Sequence, residues 1–408
     1  MFRQAPLDRG RPKEYQQVAR MWHLLFSLTK QVIEMQAVKS KLSEAGVQCA
    51  DCLDGVEMGL GEYGTLALRR ELMKAVIWTK YGPPDVLQLR EVEKPAPKDY
   101  EVLIRIHATT VTAGDCEVRR MQIPILFRFP MRAYVGLIRP KRVTILGSEV
   151  AGEIEAVGGD VHSFKEGDQV FGSAGFGMGA NAEYMCLPEE SEDATLAIKP
   201  ANMTYDEAAT VPFGGRDALH FLRKANIQRG QRVLINGAGG SIGSFGVQLA
   251  KHFGAEVIAV DSTAKLDMLR SIGADRVIDY TEEDFTESGE TYDVIFDVVG
   301  KSPFSRSLRS LKEDGFYLLA NPAPSHMIRG LLTSRRSSKT VVIQPASGTV
   351  EELVFLRGLI EAGKLKTVID RRYPLEQTAE AHRYVETGQK QGNVVITVGH
   401  RKRPPAPQ

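Results

Sequence analysis

The sequence predicts a two-part α/β protein, in which a strand-rich segment precedes a doubly wound parallel sheet. Three observations carry this. From Ala201 to about Ala346, strand-length apolar runs alternate with helical stretches, the pattern of successive βαβ units. From Met73 to about Pro200 the runs are short and broken by turn residues, as at Gly82-Pro83-Pro84 and Pro95-Ala96-Pro97. Between Arg232 and Ser262 the chain reads "RVLINGAGGSIGSFGVQLAKHFGAEVIAVDS": a strand, a glycine turn, a helix and a second strand that ends on Asp261.

Taken in order, residues 1–72 do not resemble the rest of the chain. Gln16 to Ala45 has helical spacing of apolar residues and stops at Ala45-Gly46, after which the pattern dissolves into Gly, Asp and Glu. These residues read as an N-terminal extension, helical or disordered, appended to a domain that starts at Met73. "SEVAGEIEAVG" (Ser148–Gly158) alternates as a strand does, and "FKEGDQVFG" (Phe164–Gly172) reads as a turn leading into a strand. In the alternating region the expected strands are Val233–Asn236, Val257–Asp261, Val277–Tyr280, Val294–Val299, Phe316–Ala320 and Thr340–Ile343, with helices between the first three and another after Gly300. From residue 347 the structure turns mixed, with helices near Val350–Ala362 and Thr378–Glu386 and a last strand at Asn393–Val398. Residues 401–408 read as a disordered tail.

Size and composition exclude several classes. The 408 residues, 43% hydrophobic and 25% charged, suit an ordinary globular protein of two or three domains. A formal net charge of +1 gives no global field for nucleic acid or an anionic membrane. The run "MWHLLFSL" from Met21 is far too short to span a bilayer, and no secretory signal stands out. The four cysteines (Cys49, Cys52, Cys116, Cys186) imply no disulfide framework, and Cys49-x-x-Cys52 has no second pair. A soluble, cytoplasmic protein is expected.

Gly237, Gly240 and Gly243 follow an apolar strand and open a helix. Such a turn lets a diphosphate approach the backbone at a helix N-terminus, where unpaired N–H groups and the positive dipole end await it. Asp261 closes the next strand 18 positions past Gly243. A carboxylate there accepts hydrogen bonds from the adenosine ribose and repels a 2′-phosphate, which argues for NAD(H). Lys265, one turn later, would pair with that phosphate and argues for NADP(H). The two residues leave the cofactor open.

These motifs resemble the medium-chain dehydrogenase/reductase superfamily, specifically its zinc-independent branch of quinone oxidoreductases and enone reductases. The matching stretches, in the family's order, are "TAGDCEVR" (Thr112–Arg119), "LGSEVAGEIEAVG", "FKEGDQVFG", "AATVPFGGRDALHFL" (Ala208–Leu222), "INGAGGSIGSFGVQLAK", "SIGADRVIDY" (Ser271–Tyr280), "YDVIFDVVG" (Tyr292–Gly300) and "GNVVITV". The resemblance implies a GroES-like β-rich catalytic domain (73–200, resumed at 347–400), an inserted Rossmann NAD(P)-binding domain (201–346), a cleft between them and a homodimer. It also implies residue roles. Thr112 and Asp115 would sit near nicotinamide and substrate, although Asp115 reads equally well as a structural turn carboxylate. Asp217 stands where relatives often carry a Thr against the nicotinamide. Ser241, Ile242 and Gly243 would face the diphosphate, Tyr280 would flank the adenosine, Val299 would lie along the ribose, and Asn393 would approach the nicotinamide.

No zinc is expected. The family's alcohol dehydrogenases carry Cys and His where this chain has Thr112 and Ser148, and a catalytic zinc needs three protein ligands. Without a Lewis acid, quinones and α,β-unsaturated carbonyls are favoured acceptors, because conjugation lets their own oxygen take up charge as hydride arrives. Glu149 reads as an ordinary turn residue. Tyr134, in the segment between Thr112 and Ser148, is a candidate proton donor, while Arg128, Arg132, Arg139, Lys141 and Arg142 around it read as a solvated face. The alternatives are an alcohol or aldehyde oxidoreductase, or a non-catalytic cofactor-loaded protein of structural or RNA-binding type.

Overall fold

The computed structural model describes residues 71–123, 125–191, 193–343 and 348–400. The expected helix at 16–45, the Cys49–Cys52 pair and the tail at 401–408 lie outside them.

The chain opens with a two-stranded antiparallel sheet, β1 (Leu72–Trp78) and β2 (Leu87–Glu93). Next come β3 (Glu101–Thr110) and helix α1 (Ala113–Arg120). Residues 125–142 are the described part of the smaller of two compact units: helix α2 (Ile125–Val135), then a turn in which the Lys141 and Arg142 amides return to the Val135 carbonyl. Strands β4 (Glu149–Val157), β5 (Gln169–Ser173), β6 (Tyr184–Pro188) and β7 (Thr195–Ile198) follow. Helices α3 (Tyr205–Ala208) and α4 (Val211–Lys224) lead into the alternating region. That region runs β8 (Arg232–Asn236), α5 (Ser241–His252), β9 (Glu256–Asp261), α6 (Leu266–Ser271), β10 (Arg276–Asp279), β11 (Tyr292–Asp297), α7 (Phe304–Arg309), β12 (Leu311–Leu319), α8 (Pro324–Arg336) and β13 (Thr340–Val342). The chain ends with α9 (Val350–Glu361), β14 (Ile369–Pro374), α10 (Thr378–Glu386) and β15 (Asn393–Thr397).

Strands β8 to β13 make one parallel sheet in the order β10-β9-β8-β11-β12-β13, the doubly wound arrangement that reverses beside its first strand. Both faces are buried, which is why its strands read as unbroken apolar runs. Val233, Ile235, Val257, Ala259 and Phe296 pack on one side with Leu219, Phe245 and Leu249 from α4 and α5. Leu234, Ile258, Val260, Ile295 and Tyr317 pack on the other with Phe285 and Phe304. The β-rich sheet runs β14-β15-β3-β4-β5-β7, with β6 also on β3, so its last two strands come from the far end of the chain. The Rossmann-like sheet is thus inserted within the sequence of a GroES-like one.

The six expected parallel strands agree with the observed ones to within a few residues, β12 starting earliest against its forecast at Leu311. The sequence gives no sign of a helix at α4, whose proline and paired glycines lower helical propensity. Burial decides there: ten of its residues are buried, from Val211 through Leu222.

Candidate active site

The glycine turn sits at the carboxyl end of β8, where the strand order reverses and where ligands of doubly wound sheets collect. Gly240 caps α5, so the amides of Ser241, Ile242 and Gly243 open the helix without intrahelical partners. A side chain at Gly243 would put its Cβ 2.3 Å from the Gly237 carbonyl oxygen, which holds that position to glycine. Val299, 40% exposed, lies against Gly237, and Tyr280, 61% exposed, follows β10 with its amide donating to the Asp261 carbonyl.

Asp261 and Lys265 answer each other. Their side chains pair at 3.2 Å, and both residues are buried. Asp261 Oδ2 accepts from the Gly239 amide at 2.8 Å and Oδ1 from the Ser262 amide at 2.9 Å. The carboxylate therefore braces the glycine turn, with its charge balanced by the lysine. Gly239, which the glycine spacing alone does not single out, is required by this pair: a Cβ there would lie 2.5 Å from Lys265 Cδ. Lys265 is buried here rather than a solvated lysine on a helix surface.

The returning chain seals this end of the sheet. The Gly392 amide donates to the Gly239 carbonyl at 2.8 Å, and Lys265 Nζ reaches the Gly388 carbonyl at 3.3 Å. Lys390 Nζ donates to Ser241 Oγ at 2.9 Å and to the Gly392 carbonyl at 2.6 Å. Sequence reasoning missed Lys390, because nothing local separates it from a surface lysine near a turn. Asn393 is buried, and its side-chain amide donates to the Val368 carbonyl at 3.1 Å.

In the β-rich domain Thr112 and Asp115 close a capping box at the start of α1. Asp115 Oδ2 accepts from the Thr112 amide (2.8 Å) and hydroxyl (2.7 Å), while Thr112 Oγ1 accepts from the Asp115 amide (3.1 Å). Arg119 does not reach Asp115; it pairs with Glu386 of α10. Glu149 is not an ordinary turn residue. It is buried at the head of β4, with one oxygen accepting from the Thr110 hydroxyl and the other from the Phe213 amide of α4 at 2.7 Å. Burial raises its carboxyl to about 7 against those hydrogen bonds. Asp217, one turn beyond Phe213 on α4, is likewise raised to about 7 by burial, with Arg216 opposing and Glu352 adding. Tyr134 lies in the 125–142 unit, where Arg142 covers its ring at 4.3 Å from the centroid.

The residues present do not fit a catalytic zinc. Thr112 is engaged in its cap, Glu149 in its two hydrogen bonds, and among the described residues no group of three His, Cys, Asp or Glu side chains is placed to hold a metal. They do fit a dinucleotide: an open helix N-terminus, a glycine cradle and two lysines beside it.

Fold and site together define a two-domain dinucleotide-binding protein. Comparison with known proteins agrees. Residues 98–199 match the alcohol dehydrogenase GroES-like domain, and residues 272–396 match the family described as zinc-binding dehydrogenase. The chain is 34% identical over 337 residues to a 2-methylene-furan-3-one reductase of Solanum lycopersicum, covering 79% of each. It is 33% identical over 338 residues to a chloroplastic NADPH-dependent alkenal/one oxidoreductase of Arabidopsis thaliana, again 79% of each. Among solved structures, the quinone oxidoreductase from Coxiella burnetii superposes with a TM-score of 0.71 at 28% identity, over 81% of this chain and 100% of that one. The chain belongs to the medium-chain dehydrogenase/reductase superfamily.

Proposed function

We propose that the protein is an NADPH-dependent oxidoreductase that delivers hydride to a quinone or an α,β-unsaturated carbonyl without a zinc ion. The names of its relatives support the substrate class. The observation that carries the reading is the Asp261–Lys265 pair beside the glycine turn. A carboxylate paired with a lysine repels a 2′-phosphate less than a free one does, so the pair removes the bar to NADPH and keeps Lys265 beside the place its phosphate would take.

The bound cofactor supplies a hydride. The chain supplies the rest. Ser241, Ile242 and Gly243 amides receive the diphosphate, with Gly237 and Gly240 giving the backbone room. Tyr280 and Val299 flank the adenosine and ribose, and Asn393 approaches the nicotinamide side. Thr112 and Asp115 act by fixing α1. Glu149 has both oxygens bonded within the protein, so Asp217 is the carboxyl that remains to return a proton to the reduced product, ahead of Tyr134 beneath its arginine. The small-molecule partner, the cytoplasmic setting and the homodimer belong to the same reading. Among the described residues no helix is long and apolar enough to cross a membrane.

The test is to titrate the protein with NADPH and NADH by nicotinamide fluorescence, then add a para-quinone or an enone, before and after dialysis against a strong chelator. Tighter NADPH binding and chelator-resistant consumption are expected. Alcohol-dependent reduction of NADP⁺ with no quinone turnover would favour the alcohol or aldehyde reading. Binding without turnover of any acceptor would favour a non-catalytic relative, and activity lost to the chelator and restored by zinc would overturn zinc independence.

A further inference from the structure

Lys390 stands in a place that disfavours a cation three times over. Its ammonium touches the first residue of α5, at the positive end of the helix dipole. It is desolvated, and Lys265 repels it. Among the described residues it forms no ion pair. Lys265 is answered by Asp261, whereas the acids that sense Lys390 are engaged elsewhere: Glu149 with Thr110 and Phe213, and Asp370 with the Tyr384 hydroxyl and the Gln391 amide. An anion at the opening of α5 would relieve all three penalties together.

We propose that Lys390, carried in by the returning chain, is a counter-cation for the cofactor's diphosphate, and that cofactor binding thereby fastens the 388–392 segment over the glycine turn. This rests on the reading of the turn as a nicotinamide dinucleotide site. The segment is already stitched to the Rossmann domain at both ends, by Lys265 to Gly388 and by Gly392 to Gly239, so the lysine is delivered without a large movement. The same contact makes affinity depend on pH. Burial and Lys265 lower the free ammonium to about 8, with Glu149, Asp370 and Cys116 opposing. A bound anion favours the protonated form, so affinity is full below that value and falls as pH rises past it.

The experiment titrates the full-length protein and its Lys390→Met and Lys390→Arg variants with NADPH, ADP and adenosine 2′-phosphate. Binding is read by nicotinamide fluorescence and by displacement. The expected result is a loss of about tenfold or more for NADPH and ADP in Lys390→Met, from the loss of one charge-assisted hydrogen bond. Adenosine 2′-phosphate, which has no diphosphate, should stay within about twofold, and Lys390→Arg should recover most of the NADPH affinity with a flat profile from pH 7 to 9.5. Unchanged NADPH binding in Lys390→Met overturns the proposal while the cofactor reading stands. An equal loss for adenosine 2′-phosphate also overturns it, by moving the contact to the 2′-phosphate. Wild-type protein that binds neither NADPH nor NADH sinks the reading beneath it as well.

Discussion

Asp261 shows how one side chain carries two different messages. Its position at the end of the second parallel strand was legible in the sequence, and so was Lys265 one turn later. That they cancel was not, because a salt bridge depends on rotamers and on the tight turn that brings Gly239 against both. The consequence is measurable. Asp261→Asn keeps an oxygen for the Gly239 amide but frees Lys265 of its partner, so the ratio of NADPH to NADH affinity should rise by about fivefold, the upper range for one ion pair. Fluorescence titration of both cofactors checks it, and an unchanged or lowered ratio would mean that Lys265 does not meet the 2′-phosphate. Thr112 and Asp115 teach a related lesson: their spacing is that of a capping box, and the structure uses them as one.

At the scale of elements, the joint between α1 and α10 is the one most exposed to a single change. Arg119 has no exposed side-chain surface, and its guanidinium meets Glu386, which also takes a hydrogen bond from Arg120. Glu386→Ala would leave a buried guanidinium unpaired, at a cost of about 3 kcal/mol in unfolding free energy. Urea denaturation reads this directly; a change below about 1 kcal/mol would show that water reaches Arg119 and replaces the carboxylate. This joint was invisible in the sequence because 267 positions separate its partners. Helix α4 escaped for a different reason: its Val-Pro-Phe-Gly-Gly start reads as a breaker, and only its burial between the two sheets' helices and strands makes it helical.

At the scale of the molecule, Glu149 ties the head of the β-rich strand β4 to α4 of the Rossmann side. Its folded carboxyl is raised from 4.5 to about 7, so the native state holds that proton more tightly than the unfolded chain does. The stability it contributes is therefore full below the unfolded value and is lost as pH rises through the folded one. Glu149→Gln should gain melting temperature relative to the wild type steadily between pH 5 and 8, as followed by circular dichroism; a difference that does not change with pH would show the carboxyl titrating normally. By itself the sequence determined the class of fold, the parallel strands and the glycine turn, since each is written in local periodicity and in residues a few positions apart. Tertiary structure alone decided that Asp261 is neutralised, that Glu149 is a buried brace and that Lys390 reaches Ser241. Those are contacts between residues up to 149 positions apart, and charge, burial and hydrogen bonding are settled only when the chain has closed on itself.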